Sequence, residues 1–190
     1  VVPPLSMVTR GSLLITAKDL TDLVNSENIT ILDFSTAFWH EWVYELGKSL
    51  ELPKSVRLVV VGGEKARRDV YDKWVEIVQD KVAWLNTYGP TEAAIVATIY
   101  HPDKSIPAGQ DIPIGKPITN LHAHILDRKQ NLVPIGLPGE LYIGGIGVAI
   151  GYLNQPELNA LKFFPDILFP GERMYKTGDK ARWLGDGNIE

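Results

Sequence analysis

The sequence predicts an α/β fold, with a helix-covered, mainly parallel sheet over residues 1–110 followed by a small β-rich, barrel-like lobe over 111–190. Three observations predict it. Helical and strand-like apolar patterns alternate up to about residue 100, as expected of parallel strands joined by crossover helices. Beyond residue 101 the chain carries 12 of its 17 glycines and 9 of its 13 prolines, so turns replace long helices. With 190 residues, 45% of them hydrophobic and 22% charged, the chain can bury a real core and has no signature of disorder.

Taken in order, residues 17–27 (AKDLTDLVNSE) place Leu20, Leu23 and Val24 at helical spacing, and NITILDF then has the β-branched run of a buried strand. A second helix begins near Thr36, carries Phe38, Trp39, Trp42, Val43 and Leu46, and ends near Gly47 or a turn later. The strand RLVVVGG follows, then an amphipathic helix with Val70, Trp74, Ile77 and Val78. The strand-like VAWLN leads to a sharp break at Gly89-Pro90. Short runs such as HAHIL and GELYIGG come after residue 101, and 173–190 reads as a hairpin turning at Gly185-Asp186-Gly187. In an open α/β sheet, ligands are expected at the carboxyl ends of the strands.

Bulk chemistry narrows the function classes. A formal charge of −4, with Lys65, Arg67 and Arg68 as only a brief basic cluster, argues against nucleic acid as a partner. No apolar run approaches the roughly 20 residues that span a bilayer, so no membrane association is expected. VVPPLSMVTRG at the start lacks the pattern of a secretory signal. Zero cysteines exclude disulfides and thiolate metal sites and suit the cytoplasm, which makes the Asn28-Ile29-Thr30 sequon accidental. The initial valine and the final GDGNIE both read as cuts.

Two glycine-rich stretches sit just after strands, VVVGGEK and NTYGPTE, where backbone N–H groups can approach a flat ring or a phosphate. In the second, Tyr88 offers a ring face, Thr91 a hydroxyl for a phosphate oxygen and Glu92 a carboxylate for Mg²⁺. An ordinary tight turn with a helix cap explains the same residues. Asp179 in YKTGD could accept both hydroxyls of a ribose, or simply sit beside Gly178 in a turn. GGIGVAIG lacks the G-x-G-x-x-G spacing, and neither a phosphate-loop motif nor a G-x-S-x-G elbow occurs. His122 and His124 alternate on one strand face, which raises a metal-ligand idea, but no neighbouring carboxylate or third histidine completes a set. Phe38, Trp39, Trp42 and Trp74 suit core packing better than a base-stacking platform, and Trp84 and Trp183 read the same way.

In order, LVVVGGE, NTYGPTEAAI, GELYIGGIGVAIGYLNQPE and YKTGDKARWLGDGNIE, with PELNALKFF and PGERMYKTGD among them, resemble adenylation domains of nonribosomal peptide synthetases, within the wider adenylate-forming superfamily. The resemblance covers nearly all the chain from about residue 11. It implies attack of an amino-acid carboxylate on the α-phosphate of ATP, giving an aminoacyl-AMP that passes to the phosphopantetheine thiol of a carrier protein. By the resemblance, Gly63 and Glu64 form the backbone edge along adenine, and Tyr88, with Gly89 beside it, stacks on the ring. Thr91 contacts the α-phosphate, Glu92 binds Mg²⁺ and Asp179 clamps the ribose. The amino-acid pocket is expected from Leu32, Val60, Gly62, Thr87, Ile95 and Val96, of which Leu32 is the weaker match. These side chains are uncharged, so a neutral, apolar amino acid is expected.

Peptidyl carrier and condensation domains are the partners that the resemblance implies. Departures are Ile150, where the family's A-R-G-Y string has a basic residue, and Lys180, where leucine is common. The family's phosphate loop and amine-gripping aspartate are expected before Val1, and its hinge, arginine and catalytic lysine after Glu190. The chain alone is therefore expected to bind nucleotide weakly and to catalyse little. Rival readings are an acyl-CoA or aryl-acid ligase of the same superfamily, and a non-catalytic docking piece.

Overall fold

The computed structural model describes residues 16–102, 106 and 109–190. The opening residues, which bear on the expected lack of a signal sequence, lie outside the described residues. Helix α1 (Ala17–Glu27) begins at Thr16, whose hydroxyl accepts the Asp19 N–H while the Asp19 carboxylate accepts the Thr16 N–H, so two otherwise orphaned donors are satisfied. It stops at Asn28, in the left-handed conformation common just past helix ends. Strand β1 (Ile31–Ser35), helix α2 (Thr36–Leu46), strand β2 (Leu58–Gly62), helix α3 (Arg68–Val78) and strand β3 (Ala83–Tyr88) then alternate as the apolar periodicity predicts.

The first three strands are parallel. One face of them, Leu32, Phe34, Val59, Val61 and Trp84, is buried together with Trp39, Trp42 and Val43 of α2 and Val70 and Trp74 of α3. Burying side chains of this size is worth about 1.5–3 kcal/mol each relative to exposure, so this helix-facing layer is the main stabilising core. The Trp42 indole N–H donates to the Thr21 hydroxyl at 3.0 Å, so this buried donor is satisfied. The tryptophans at helical spacing are core residues.

Past β3 the chain reverses. Strands β4 (Thr98–Tyr100) and β5 (Lys116–Pro117) extend the sheet antiparallel, giving the order β1-β2-β3-β4-β5. Both are too short to carry a periodic pattern, and neither was anticipated. The Arg68 guanidinium holds the approach to β5 against α3 by donating to the carbonyls of Ile106 and Gln110. The basic cluster is internally neutralised: Lys65 pairs with Asp111, Arg67 with Asp69 and Arg68 with Asp72.

A second, antiparallel sheet has the order β6-β7-β9-β8, formed by β6 (Leu121–Leu126), β7 (Gly139–Gly145), β8 (Phe163–Pro165) and β9 (Arg173–Ala181). It is open, with β6 and β8 at its edges. The short helix α4 (Pro156–Lys162), with its proline in the first turn, stands where sequence reading expected only turns. The expected terminal hairpin forms, with Arg182 and Glu190 exchanging backbone bonds and Leu184 N–H donating to Asn188. A second core joins Ala93 and Ala97 to Ile125, Leu141, Ile143, Ala181 and Ile189, which seats the second sheet on the segment after β3. Among the described residues no helix is long and apolar enough to cross a membrane.

Candidate active site

The carboxyl ends of β2 and β3 lie side by side, with Gly62 opposite Thr87. Their approach depends on Gly62, because a Cβ there would stand 2.4 Å from Thr87 Oγ1. That hydroxyl is turned back to donate to the Val61 carbonyl at 2.9 Å. Gly63 has φ +91 and open space where its Cβ would be, so its backbone is bare to a flat ligand. The buried Thr36 hydroxyl lies 3.1 Å from both the Gly62 and Glu64 carbonyls and anchors this turn to the start of α2. Sequence reading used Thr36 only to mark where the helix begins; nothing local reveals a contact 26 residues away.

At the end of β3, Tyr88 opens a tightly folded loop. The Ala97 N–H donates to the Tyr88 carbonyl at 2.7 Å, and a Cβ on Gly89 would lie 2.5 Å from the Ile95 carbonyl oxygen. Thr91, exposed, begins a single 3-10 turn, Thr91–Ala93. Ala94 and Ile95 follow with φ of 61° and 71°. A β-branched residue in that region is strained, and Ile95 is also 71% exposed, so neither local preference nor burial explains it.

Glu92 is held by the loop between β7 and α4. The Tyr152 hydroxyl donates to Glu92 Oε1, Tyr175 Oη lies 3.3 Å from Tyr152 Oη, and the Ala149 N–H donates to the Glu92 carbonyl at 2.8 Å. The Tyr152 hydrogen bond, working against partial burial, keeps the Glu92 carboxyl below the usual glutamate range. Burial first, then its hydroxyl contact with Tyr152, pushes the Tyr175 phenol up. One ionised carboxylate on a partly exposed turn suits Mg²⁺, which takes one or two protein carboxylates and leaves its other positions to water and phosphate. Tyr152 and Tyr175 were not singled out from sequence, although both stand inside the quoted motifs.

Asp179 reaches the same place by way of a bulge. Tyr142 pairs with Lys176 and Glu140 with Lys180, so Thr177, Gly178 and Asp179 oppose Leu141 alone. The Thr177 hydroxyl donates to the Leu141 carbonyl at 2.8 Å and closes the gap in the ladder, while Gly178 has φ +91. The displaced Asp179 accepts the Tyr88 hydroxyl at 2.6 Å, across 91 residues of sequence. Burial, reinforced by that carboxylate, raises the Tyr88 phenol well above its ordinary value.

Of the pocket candidates, Val60, Gly62 and Thr87 share one face of the parallel strands, and Ile95 and Val96 lie in the loop beyond β3. Leu32 does not join them. It pairs with Val59 on the opposite, helix-covered face and is 2% exposed, because side chains alternate along a strand and a one-residue difference in register changes the face. Asp33, exposed, is the β1 residue level with Val60. An open cleft elsewhere, lined by Gly145, Val148, Phe163, Pro165, Glu172 and Arg173, contains none of the candidate residues. The histidine pair gains a partner hidden from local sequence: the Asp166 carboxylate lies 2.7 Å from His122 Nε2 and 3.1 Å from His124 Nε2.

The family model described as "AMP-binding enzyme" matches residues 5–153. Tyrocidine synthase 1 of Brevibacillus parabrevis is 45% identical over 136 residues, which is 72% of this chain and 12% of that protein. Among solved structures, the nonribosomal peptide synthetase FmoA3 superposes with a TM-score of 0.85 at 31% identity, over 95% of this chain and 19% of that one. The N-terminal subdomain of Klebsiella oxytoca NpsA, solved in complex with 3-hydroxybenzoyl-AMSN, does so at 0.77 and 26%, over 93% and 44%. The matched stretch contains the β2 turn, the Tyr88 loop and Glu92, and the chain belongs to the AMP-binding enzyme family, on the side of the adenylation domains of nonribosomal peptide synthetases.

Proposed function

We propose that the chain supplies the adenine, ribose and α-phosphate contacts, and part of the amino-acid pocket, of a domain that converts an amino acid and ATP to an aminoacyl-AMP and pyrophosphate. The observation that carries this reading is that the turn after β2, the end of β3 with the loop beyond it, and the bulge of β9 bring together Gly63, Tyr88, Glu92 and Asp179, with Tyr88 and Asp179 in direct contact. Gly63 and Glu64 offer a backbone edge to adenine and Tyr88 its ring. Asp179 exchanges the Tyr88 hydroxyl for those of the ribose. Thr91 donates to an α-phosphate oxygen while the substrate carboxylate oxygen bonds to that phosphorus and the bond to pyrophosphate breaks. Glu92, held ionised by Tyr152, would bind Mg²⁺, which supplies positive charge to the phosphates. The adenylate then passes to the phosphopantetheine thiol of a peptidyl carrier domain, beside which a condensation domain would act.

Val60, Thr87, Ile95 and Val96 favour a neutral, apolar amino acid, since none can pair with a charge. One observation favours a second reading: Asp33 stands level with Val60 and would suit a basic side chain. An aryl acid is the superfamily alternative, in keeping with the ligand carried by the NpsA structure. The test is amino-acid-dependent ATP–pyrophosphate exchange on the adenylation domain that carries this chain, against all common amino acids and a panel of aryl and fatty acids. Exchange with neutral amino acids, lost in Glu92→Ala and Asp179→Ala, supports the proposal. Exchange only with basic amino acids selects the Asp33 reading, and exchange only with aryl or fatty acids overturns amino-acid activation.

A further inference from the structure

We propose that His122, His124 and Asp166 form a divalent-cation site, best suited to zinc, on the second sheet and separate from the nucleotide site. His122 and His124 are two residues apart on β6, so both rings stand on one face, and each aims Nε2 at the same carboxylate. The donor atoms of the three residues lie within 4.8 Å of one another. Zinc bonds of about 2.0–2.2 Å require tetrahedral donors roughly 3.3–3.5 Å apart, so the histidine–carboxylate separations of 2.7 and 3.1 Å need to open by less than about 1 Å and the widest donor pair, within 4.8 Å, to close by at most about 1.5 Å. Two imidazoles and one carboxylate are the borderline-hard donor set that zinc accepts, and three protein ligands leave a fourth position for water.

The surroundings are built around this cluster. The Asp166 side chain is 0% exposed, and its Oδ1 accepts the backbone N–H groups of Leu168 and Phe169 at 2.9 and 3.0 Å, which fixes the carboxylate. The Phe169 ring lies 4.1 Å from the His122 ring and covers one side. His122 is 19% exposed and gives an ion a way in. Its other nitrogen, Nδ1, lies 3.9 Å from Glu172 Oε2, beyond hydrogen-bond distance, so a small approach would give it the carboxylate partner that metal-bound histidines commonly have. Directly across the strand pair from His122 is Gly144, where a Cβ would stand 2.2 Å from His122 Nε2 and 2.5 Å from Asp166 Oδ2. Only glycine leaves that space free. A bound ion would tie β6 to the segment after β8, and through the β8–β9 pairing to the strand that carries Tyr175 and Asp179.

The test is zinc titration of the full chain after chelator treatment, followed by calorimetry, with cobalt(II) absorption as a report on the ligand geometry. One equivalent is expected to bind with a tetrahedral cobalt spectrum. His122→Gln and Asp166→Asn should each weaken binding at least tenfold, and Glu172→Gln by about tenfold. Gly144→Ala keeps all three ligands and should also lose at least tenfold, with folding checked by circular dichroism. If Asp166→Asn does not fold, the part-exposed His122 and Gly144 variants decide. Absence of stoichiometric zinc binding, or binding left unchanged in His122→Gln and Gly144→Ala, would show that the cluster is a hydrogen-bonded bridge and overturn the proposal.

Discussion

Adding one methyl group at Gly62 should report directly on how β2 and β3 fit together beneath the candidate pocket. In Gly62→Ala the new Cβ would stand 2.4 Å from Thr87 Oγ1 and 3.1 Å from the Thr87 carbonyl oxygen. The hydroxyl must move by close to an ångström and gives up its 2.9 Å bond to the Val61 carbonyl. The lost bond costs about 1 kcal/mol, and the residual crowding against the backbone oxygen about as much again in a layer of this density. Replacing glycine in a strand returns about 0.5–1 kcal/mol, leaving a net destabilisation of about 1–1.5 kcal/mol. With Thr87→Ala already in place the hydroxyl is gone while the carbonyl contact at 3.1 Å remains, and Gly62→Ala should cost only about 0–0.5 kcal/mol. Urea unfolding of the four variants of this cycle, followed by tryptophan fluorescence, measures the coupling. Equal costs of Gly62→Ala in both backgrounds would refute the reasoning, since the penalty would then come from somewhere other than Thr87.

Tyr152→Phe should cost about 1–2 kcal/mol, because Glu92 loses the hydrogen bond that most lowers its pKa. A depressed carboxyl contributes stability that is present above its unfolded value, near 4.5, and is lost as pH falls through the folded value; the gap between wild type and Tyr152→Phe should therefore close on acidification, and a gap constant from pH 7 to pH 3 would refute the linkage. Ile95→Gly removes a left-handed strain of about 1–2 kcal/mol against about 0.5–1 kcal/mol of added unfolded-state entropy, so the urea midpoint should rise slightly, while amino-acid selectivity in pyrophosphate exchange should shift. Tyr88→Phe keeps the ring and frees Asp179, so AMP affinity measured by calorimetry should stay within about threefold of wild type or tighten, whereas Asp179→Ala should weaken it at least tenfold, the loss expected of a charge-assisted contact. The reverse ranking would remove Asp179 from the ribose.

The helix and strand periods up to Tyr88, the buried tryptophans, the terminal hairpin and the ordered motifs are all local properties, legible along the chain. A period of 3.6 or 2 is written in neighbouring residues, and a turn that needs glycine says so at its own position. Local pattern did not extend to β4, β5 and α4, which owe their place to pairing and packing partners. Nor could it say which face a strand residue takes. Leu32 and Asp33 are adjacent, and only the pairing with Val59 and Val60 sent the leucine to the core and the aspartate to the other side. The contacts that make the candidate active site, and the one that makes the histidine cluster, are longer still in sequence: Thr36 to Glu64, Glu92 to Tyr152 and Tyr88 to Asp179, and His122 to Asp166. Each joins separate segments, and Tyr88 to Asp179 spans the two sheets. Tertiary structure alone decided them, because whether a hydroxyl or an imidazole finds its carboxylate depends on how strands are paired and how one sheet is seated on the other, and no spacing along the chain encodes that distance.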